Sequence, residues 1–330
     1  MKVTYFYRNP AAGYSILKVF TTLISEMRVT LPVRELSVPA RRSDLISVCK
    51  NIYYVLKNRD KLGINHITGD IHYCILGLIG CKSILTVHDL SALDCAKNPL
   101  KKAIIRFLWF TLPVRLADKV VCISEHTRDE LYKITKRTDL EVVYNPIDPS
   151  FGYLPKLINI QKPVILQIGT AWNKNLFLIV EALKTISSHL VIIGKIDGII
   201  ENRLKENNQS YEVKIDLTDT EILDEYKNCD IVCFCSTYEG FGMPIIEGNG
   251  VGRIVVTSNI SPMTEIANDA AYLVDCRDPI SVRSAIKEIL QSPELGNSLV
   301  SNGLRNVERF NVQTISASYK NLYTKMEKSK

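Results

Sequence analysis

No apolar run in this sequence reaches the roughly 20 residues that a bilayer-spanning helix needs. The longest, 71–80 and 103–114, fall short, and the second is interrupted by Arg106. The first residues alternate as a strand would and lack the plan of a secretory signal. Nine cysteines are present without a single C-x-x-C pair. Cys233 and Cys235 fall on one face of an apolar run, where core packing suits them better than a metal. Reduced thiols fit a cytoplasmic setting. There is no P-loop, no G-x-S-x-G and no G-x-G-x-x-G, so kinase, hydrolase and dehydrogenase readings lose their usual support. Asp-x-Asp, a pair that can hold a divalent cation, is also missing. His66, Asp70 and His72 straddle a strand end and a helix start, and that spacing does not make a metal set. No nucleic-acid motif occurs, and the net charge of +6 is modest, so nucleic acid is not expected as a partner.

At 46% hydrophobic residues, the 330-residue chain can fill full cores, and its length suggests two domains. Residues 1–150 carry 22 basic and 14 acidic residues, a net +8, and the remainder is at −2. Within the basic half, Lys101 to Arg115 is both cationic and strongly apolar. Its two readings are a core helix with a basic edge and a segment lying on an anionic membrane surface.

Strand-like and helix-like segments alternate throughout, which predicts α/β architecture with parallel sheets. Strands are expected at 3–7, 34–38, 64–68, 83–87, 119–124 and 141–144. In the second half they are expected at 163–169, 190–194, 212–215, 230–236, 253–257 and 271–274. The breaker-rich 145–152 reads as a linker between them. The expected domains are 1–148 and 149–311. Two doubly wound domains facing a cleft would follow, with ligands beyond the carboxyl ends of the strands.

The most informative stretch is Tyr238-Glu239-Gly240-Phe241-Gly242-Met243-Pro244-Ile245-Ile246-Glu247. It follows the apolar run 230–236, so it reads as strand, glycine loop and helix start, with Pro244 at the first helical position. A helix start offers N–H groups and partial positive charge to a phosphate. Glu239 and Glu247 add acceptors for vicinal hydroxyls. An anion site flanked by diol acceptors suits a nucleotide-sugar.

This stretch resembles the E-x7-E signature of the family-4 retaining glycosyltransferases, which have the GT-B fold. The similarity extends through Gly169-Thr-Ala-Trp-Asn-Lys174-Asn-Leu176, Arg253 to Ile266 and Ala270 to Asp275. It is weaker but in register at Thr86-Val-His88-Asp89-Leu90, 121–127 and 143–148. The resemblance implies two Rossmann-like domains, acceptor-side and donor-side, with a terminal helix near 312–330 packing back on the first. It implies that a sugar moves from a nucleoside-diphosphate-sugar, a substrate rather than a cofactor, to a hydroxyl on a glycan or lipid-linked acceptor. Polysaccharide or glycolipid assembly, peripheral at the inner face of the membrane, is the implied setting. The absent Asp-x-Asp agrees with a metal-independent reaction in which lysine and helix dipole replace the ion.

By the same resemblance Glu247 takes the ribose diol and Glu239 the hydroxyls of the transferred sugar. The amides of Phe241, Gly242 and Met243 meet phosphate or sugar. Lys174, expected to begin a helix after Gly169 and Thr170, would neutralise the diphosphate. Lys195, after Gly194, is a second cation in reach. The family has an arginine shortly before the lysine; Trp172 and Asn173 stand there instead. His88 would touch the donor sugar, and Asp89 would orient His88 or bind acceptor hydroxyls. Family members have a Gly-Gly loop after the first strand, whereas this chain has only Gly13 there. A non-catalytic nucleotide-sugar-binding module and a sugar-nucleotide epimerase of the same fold are the alternatives.

Overall fold

The computed structural model describes residues 1–13, 15–94, 96 and 98–328. These form two compact units, one of Met1–Pro146 with Asn311–Lys330, the other of Ile147–Phe310; Ser329 and Lys330, the end of the expected terminal helix, lie outside the described residues. Each unit is built on one six-stranded parallel sheet.

In the first unit the strands are β1 (Val3–Tyr7), β2 (Val33–Ser37), β3 (Ile64–Ile67), β4 (Ser83–Val87), β5 (Lys119–Cys122) and β6 (Leu140–Val142), in spatial order β2-β1-β3-β4-β5-β6. The second has β7 (Val164–Ile168), β8 (His189–Ile193), β9 (Ser210–Lys214), β10 (Ile231–Phe234), β11 (Ile254–Ser258) and β12 (Tyr272–Val274), ordered β12-β11-β10-β7-β8-β9. Central strands such as VTYFY and IVCF are buried on both faces. That explains why they read as apolar runs rather than as alternating patterns. Each expected strand coincides with an observed one to within a few residues. Strand order reverses between β1 and β3 in the first sheet and between β7 and β10 in the second. Doubly wound sheets bind ligands at such switch points.

Three local readings need correction. The helix Met243–Val251 begins one residue before Pro244, which is second in it. Lys174 does not begin a helix: it closes a 3-10 turn, Trp172–Lys174, and the helix Leu176–Leu183 follows after Asn175, which sits in the left-handed region at φ 58°. The segment from Lys101 is not one helix either. Pro99–Ile105 is helical, Arg106–Thr111 is a π-turn, and Leu112–Leu116 resumes around Pro113. The helix Gly198–Glu206 had no sequence warning, because it buries only Leu204. Cys233 and Cys235 both lie in the second core, and the eight described cysteines are free. Among the described residues no helix is long and apolar enough to cross a membrane.

The C-terminal helix Val312–Lys328 packs on the first unit beside the helix Ser15–Met27. A buried polar chain secures it. The Tyr323 hydroxyl lies 2.8 Å from that of Tyr5 and 2.9 Å from His66 Nδ1, while His66 Nε2 meets Thr86 Oγ1 at 2.7 Å. Burial pushes the His66 imidazole from 6.5 down to about 3. Burial also lowers His72 and His88. An unfolded chain takes these protons near 6.5, so between about 3 and 6.5 the unfolded state binds more protons. The stability conferred by neutral histidines is therefore complete above 6.5 and is lost as pH falls through that window. We expect urea midpoints to drop already between about pH 6.5 and 5, above the carboxylate range, at up to ~1.4 kcal/mol per pH unit for each histidine. A flat profile there would contradict the neutral, buried assignment.

Candidate active site

In the second unit, the segments following β7, β8 and β10 converge. Gly169, Gly194 and Gly242, each at positive φ, make the turns. Gly242 takes φ 111°, and a β-carbon there would come within 3.1 Å of Ile245 and 3.4 Å of the Phe234 ring. The helix that follows sits close on the sheet because Gly248 faces Val232 and Val255 with no room for a side chain. No side chain caps this helix. The positive end of its dipole is therefore not taken up by a capping side chain.

Lys174 lies across the backbone of Gly169. Its Nζ meets Glu239 Oε1 at 2.6 Å and stands 4.9 Å from the centre of the Phe234 ring. Asn173 donates its side-chain amide to the Tyr238 carbonyl at 2.9 Å and to the same Glu239 oxygen at 3.1 Å. So the residue just before Lys174 is a neutral donor that orients the carboxylate. Asn175 donates to the carbonyls of Cys235 and Cys276 at 3.1 and 2.7 Å, fixing the lysine turn to the end of β10. Thr170 packs against Gly194, whose absent side chain leaves it room. Lys195 is exposed. Phe241 is buried, edge-on to Phe310 at 5.7 Å between ring centres.

Glu247 is half-buried on the second turn of the Met243–Val251 helix. The fully buried Tyr226 donates its hydroxyl to Glu247 Oε2. Burial, with the nearby carboxylate, pushes the Tyr226 phenol well above its ordinary value, so it stays a donor. Sequence reasoning missed both Tyr226 and Asn173 as partners of the two glutamates. A tyrosine on the last turn before an apolar strand looks like core, and only its hydroxyl has a partner in the site.

The first unit has its own cluster at the β1/β3 reversal. Arg8, just after β1, donates Nε to the Gly13 carbonyl at 3.1 Å and pairs through its guanidinium with Asp70, just after β3. A β-carbon on Gly13 would strike that guanidinium. His88, after β4, is buried, and its Nε2 lies 2.8 Å from the Thr68 carbonyl. A carbonyl can only accept, so Nε2 carries the proton of the neutral ring. Its ring edge packs on Gly69, where a β-carbon would come within 2.5 Å. Thr68, not Asp89, therefore orients His88. Asp89 Oδ1 accepts from the Ser91 amide at 2.9 Å and caps the short turn that follows. His66 and His72 serve separate networks, since His72 Nδ1 bonds the Trp109 carbonyl. Arg8 directly follows β1 and Asp70 lies three residues beyond β3, so both are charged residues at carboxyl ends of strands beside the reversal, and the sequence does not show that they pair.

A family model described as "Glycosyl transferases group 1" matches residues 155–305, and one described as "Glycosyltransferase Family 4" matches residues 22–151. An uncharacterized glycosyltransferase of Methanocaldococcus jannaschii is 26% identical over 307 residues, covering 85% of this chain and 81% of that protein. An O-antigen chain mannosyltransferase of Salmonella typhimurium is 25% identical over 282 residues, covering 81% of this chain and 77% of the relative. Among solved structures, the Anabaena protein HepE in complex with UDP-glucose superposes with a TM-score of 0.80 at 14% identity, over 98% of this chain and 100% of that one.

Proposed function

We propose that this chain, which belongs to glycosyltransferase family 4 and has the GT-B fold, is a retaining hexosyltransferase whose donor site is the Lys174–Glu239–Glu247 cluster at the β7/β10 reversal. The observation that carries the reading is that one cation and two carboxylates surround a helix start that no side chain caps. Two phosphates need positive charge and amide donors, and two sugars need carboxylate acceptors. Glu247, oriented by the Tyr226 hydroxyl, takes the ribose diol. Glu239 would release Lys174 to the diphosphate as the donor enters and turn to the hydroxyls of the transferred sugar.

As the bond between anomeric carbon and phosphate oxygen breaks, the sugar gains oxocarbenium character and the diphosphate gains charge. Lys174 and the amides of Phe241, Gly242 and Met243 stabilise that charge where it develops. The departing phosphate oxygen takes the acceptor's proton on the same face, so configuration is retained. With lysine and amides meeting the leaving group, the step runs independently of a divalent cation. In the first unit the neutral His88, with its Nε2–H held by the Thr68 carbonyl, keeps Nδ1 as an acceptor for a sugar hydroxyl. The acceptor is a hydroxyl of a glycan or a lipid-linked glycan, a class to which the O-antigen relative gives support. UDP-sugars are the first donors to try, given the ligand of the Anabaena protein.

Incubation with UDP-, GDP- and ADP-hexoses and a panel of glycan acceptors, in the presence of EDTA, tests this. We expect transfer with an α-linked donor to give an α-linked product by NMR. An inverted anomer, or activity that EDTA abolishes, would contradict the mechanism. Donor binding without any turnover would favour a binding module, and isomerised donor without acceptor would favour an epimerase.

A further inference from the structure

Trp172 is 66% exposed, and it opens the turn that carries Lys174. It is one of two tryptophans in the chain. A single exposed apolar side chain is ordinary; the setting of this one is not. The Lys174 amide donates to the Ala171 carbonyl at 2.8 Å and closes the turn. The Thr237 amide donates to the Asn173 carbonyl at 2.8 Å, and the Asn173 side chain donates to the Tyr238 carbonyl and to Glu239. Lys174 pairs with the same carboxylate. The two residues that follow Trp172 are thus both committed to Glu239 and to the loop that carries it.

This fixes the tryptophan at the Glu239 end of the site. Glu247 stands at the other end, on the second turn of the Met243–Val251 helix, beside Tyr226. The indole has no ring or hydrogen-bond partner among the described residues. With only two side-chain torsions, it offers a large flat surface at a small ordering cost.

A pyranose has an edge of hydroxyls and a face of C–H groups. Carboxylate and carboxamide groups serve the edge. An aromatic plane serves the face, because C–H groups pack on the electron-rich ring. Glu239 and Asn173 supply the first kind of group here, and Trp172 supplies the second.

We propose that Trp172 is a positioning residue for the transferred hexose, its indole lying against the C–H face of the pyranose whose hydroxyls Glu239 accepts. The nucleobase is not its partner, since the base is joined to the ribose at the Glu247 end. The inference rests on the donor-site reading and deepens it, by assigning the sugar a stacking plane on the donor unit itself.

Intrinsic fluorescence tests this, because the other tryptophan, Trp109, packs beside Tyr73 against the first-unit core. The full chain is titrated with UDP-glucose, UDP-galactose and GDP-mannose, and separately with UDP and GDP. We expect a nucleotide-hexose to shift the emission while its bare nucleotide binds without doing so. The shift should vanish in Trp172→Phe, although that variant keeps a stacking ring. By calorimetry, Trp172→Ala should bind the nucleotide-hexose about three- to tenfold more weakly, the usual worth of an aromatic contact. It should bind the bare nucleotide as the parent does, and Trp172→Phe should recover most of the loss. The side chain is exposed, so thermal midpoints should match the parent. An equal shift with bare nucleotide would place the base on the indole and overturn the assignment. So would a nucleotide-hexose that binds Trp172→Ala as tightly as the parent; in both cases the donor site itself would stand. Absence of binding by every one of these nucleotides would overturn the donor-site reading and this inference with it.

Discussion

Lys174→Ala is expected to lower kcat by about 100- to 1000-fold, the usual loss when one preorganised stabiliser of developing negative charge is removed. The expectation rests on where the ammonium stands. It lies over Gly169 at the β7/β10 reversal, 2.6 Å from Glu239 and against the face of Phe234. Alanine removes the cation and leaves Glu239 uncompensated, with the Asn173 side-chain amide still donating to it. Donor affinity should therefore fall together with turnover. Arginine is not an equivalent replacement, because a planar guanidinium does not reproduce the compact point charge of the ammonium. The fold should survive, since partly exposed ion pairs contribute ~1 kcal/mol or less to stability. Steady-state kinetics on a variant with an unchanged thermal midpoint checks this. Activity within about threefold of the parent would reduce the lysine to a structural partner of Glu239.

Glu247→Ala carries the second large effect, and it should appear in binding. A charged hydrogen-bonded pair is worth about 1.5–3 kcal/mol, so affinity for the nucleoside diphosphate should fall by roughly 10- to 150-fold. Tyr226→Phe leaves the carboxylate in place and removes only its orienting donor, so its loss should be nearer fivefold, about 1 kcal/mol. The two effects should not add, because the tyrosine acts through the glutamate. A 2′-deoxy nucleotide supplies the control. The parent should discriminate against it, while Glu247→Ala should bind ribose and deoxyribose forms alike. Calorimetry showing unchanged affinity in Glu247→Ala would place the ribose elsewhere.

Much of the fold was legible because buried parallel strands write themselves as unbroken apolar runs, as in 231–234 and 254–258. The glycine loop before the Met243–Val251 helix was legible for a related reason: Gly242 and Pro244 mark a strand-to-helix turn. What stayed hidden depends on strand order. Lys174 and Glu239 are 65 residues apart and meet because β10 lies beside β7 rather than beside β9. Arg8 and Asp70 are 62 apart and meet because β1 pairs with β3. No local pattern encodes those adjacencies. The role of Tyr226 was hidden because burial and function coincide in one side chain. Its ring belongs to the packing beside Phe151 and its hydroxyl to Glu247.

A crystal structure of the chain soaked with a nucleoside diphosphate tests the central assignment most directly. Its β-phosphate should lie within hydrogen-bonding distance of the amides of residues 241–243 with Lys174 Nζ turned toward it, and the ribose hydroxyls should rest on Glu247. A nucleotide bound away from the start of the Met243–Val251 helix, with Lys174 and Glu239 still paired, would contradict it.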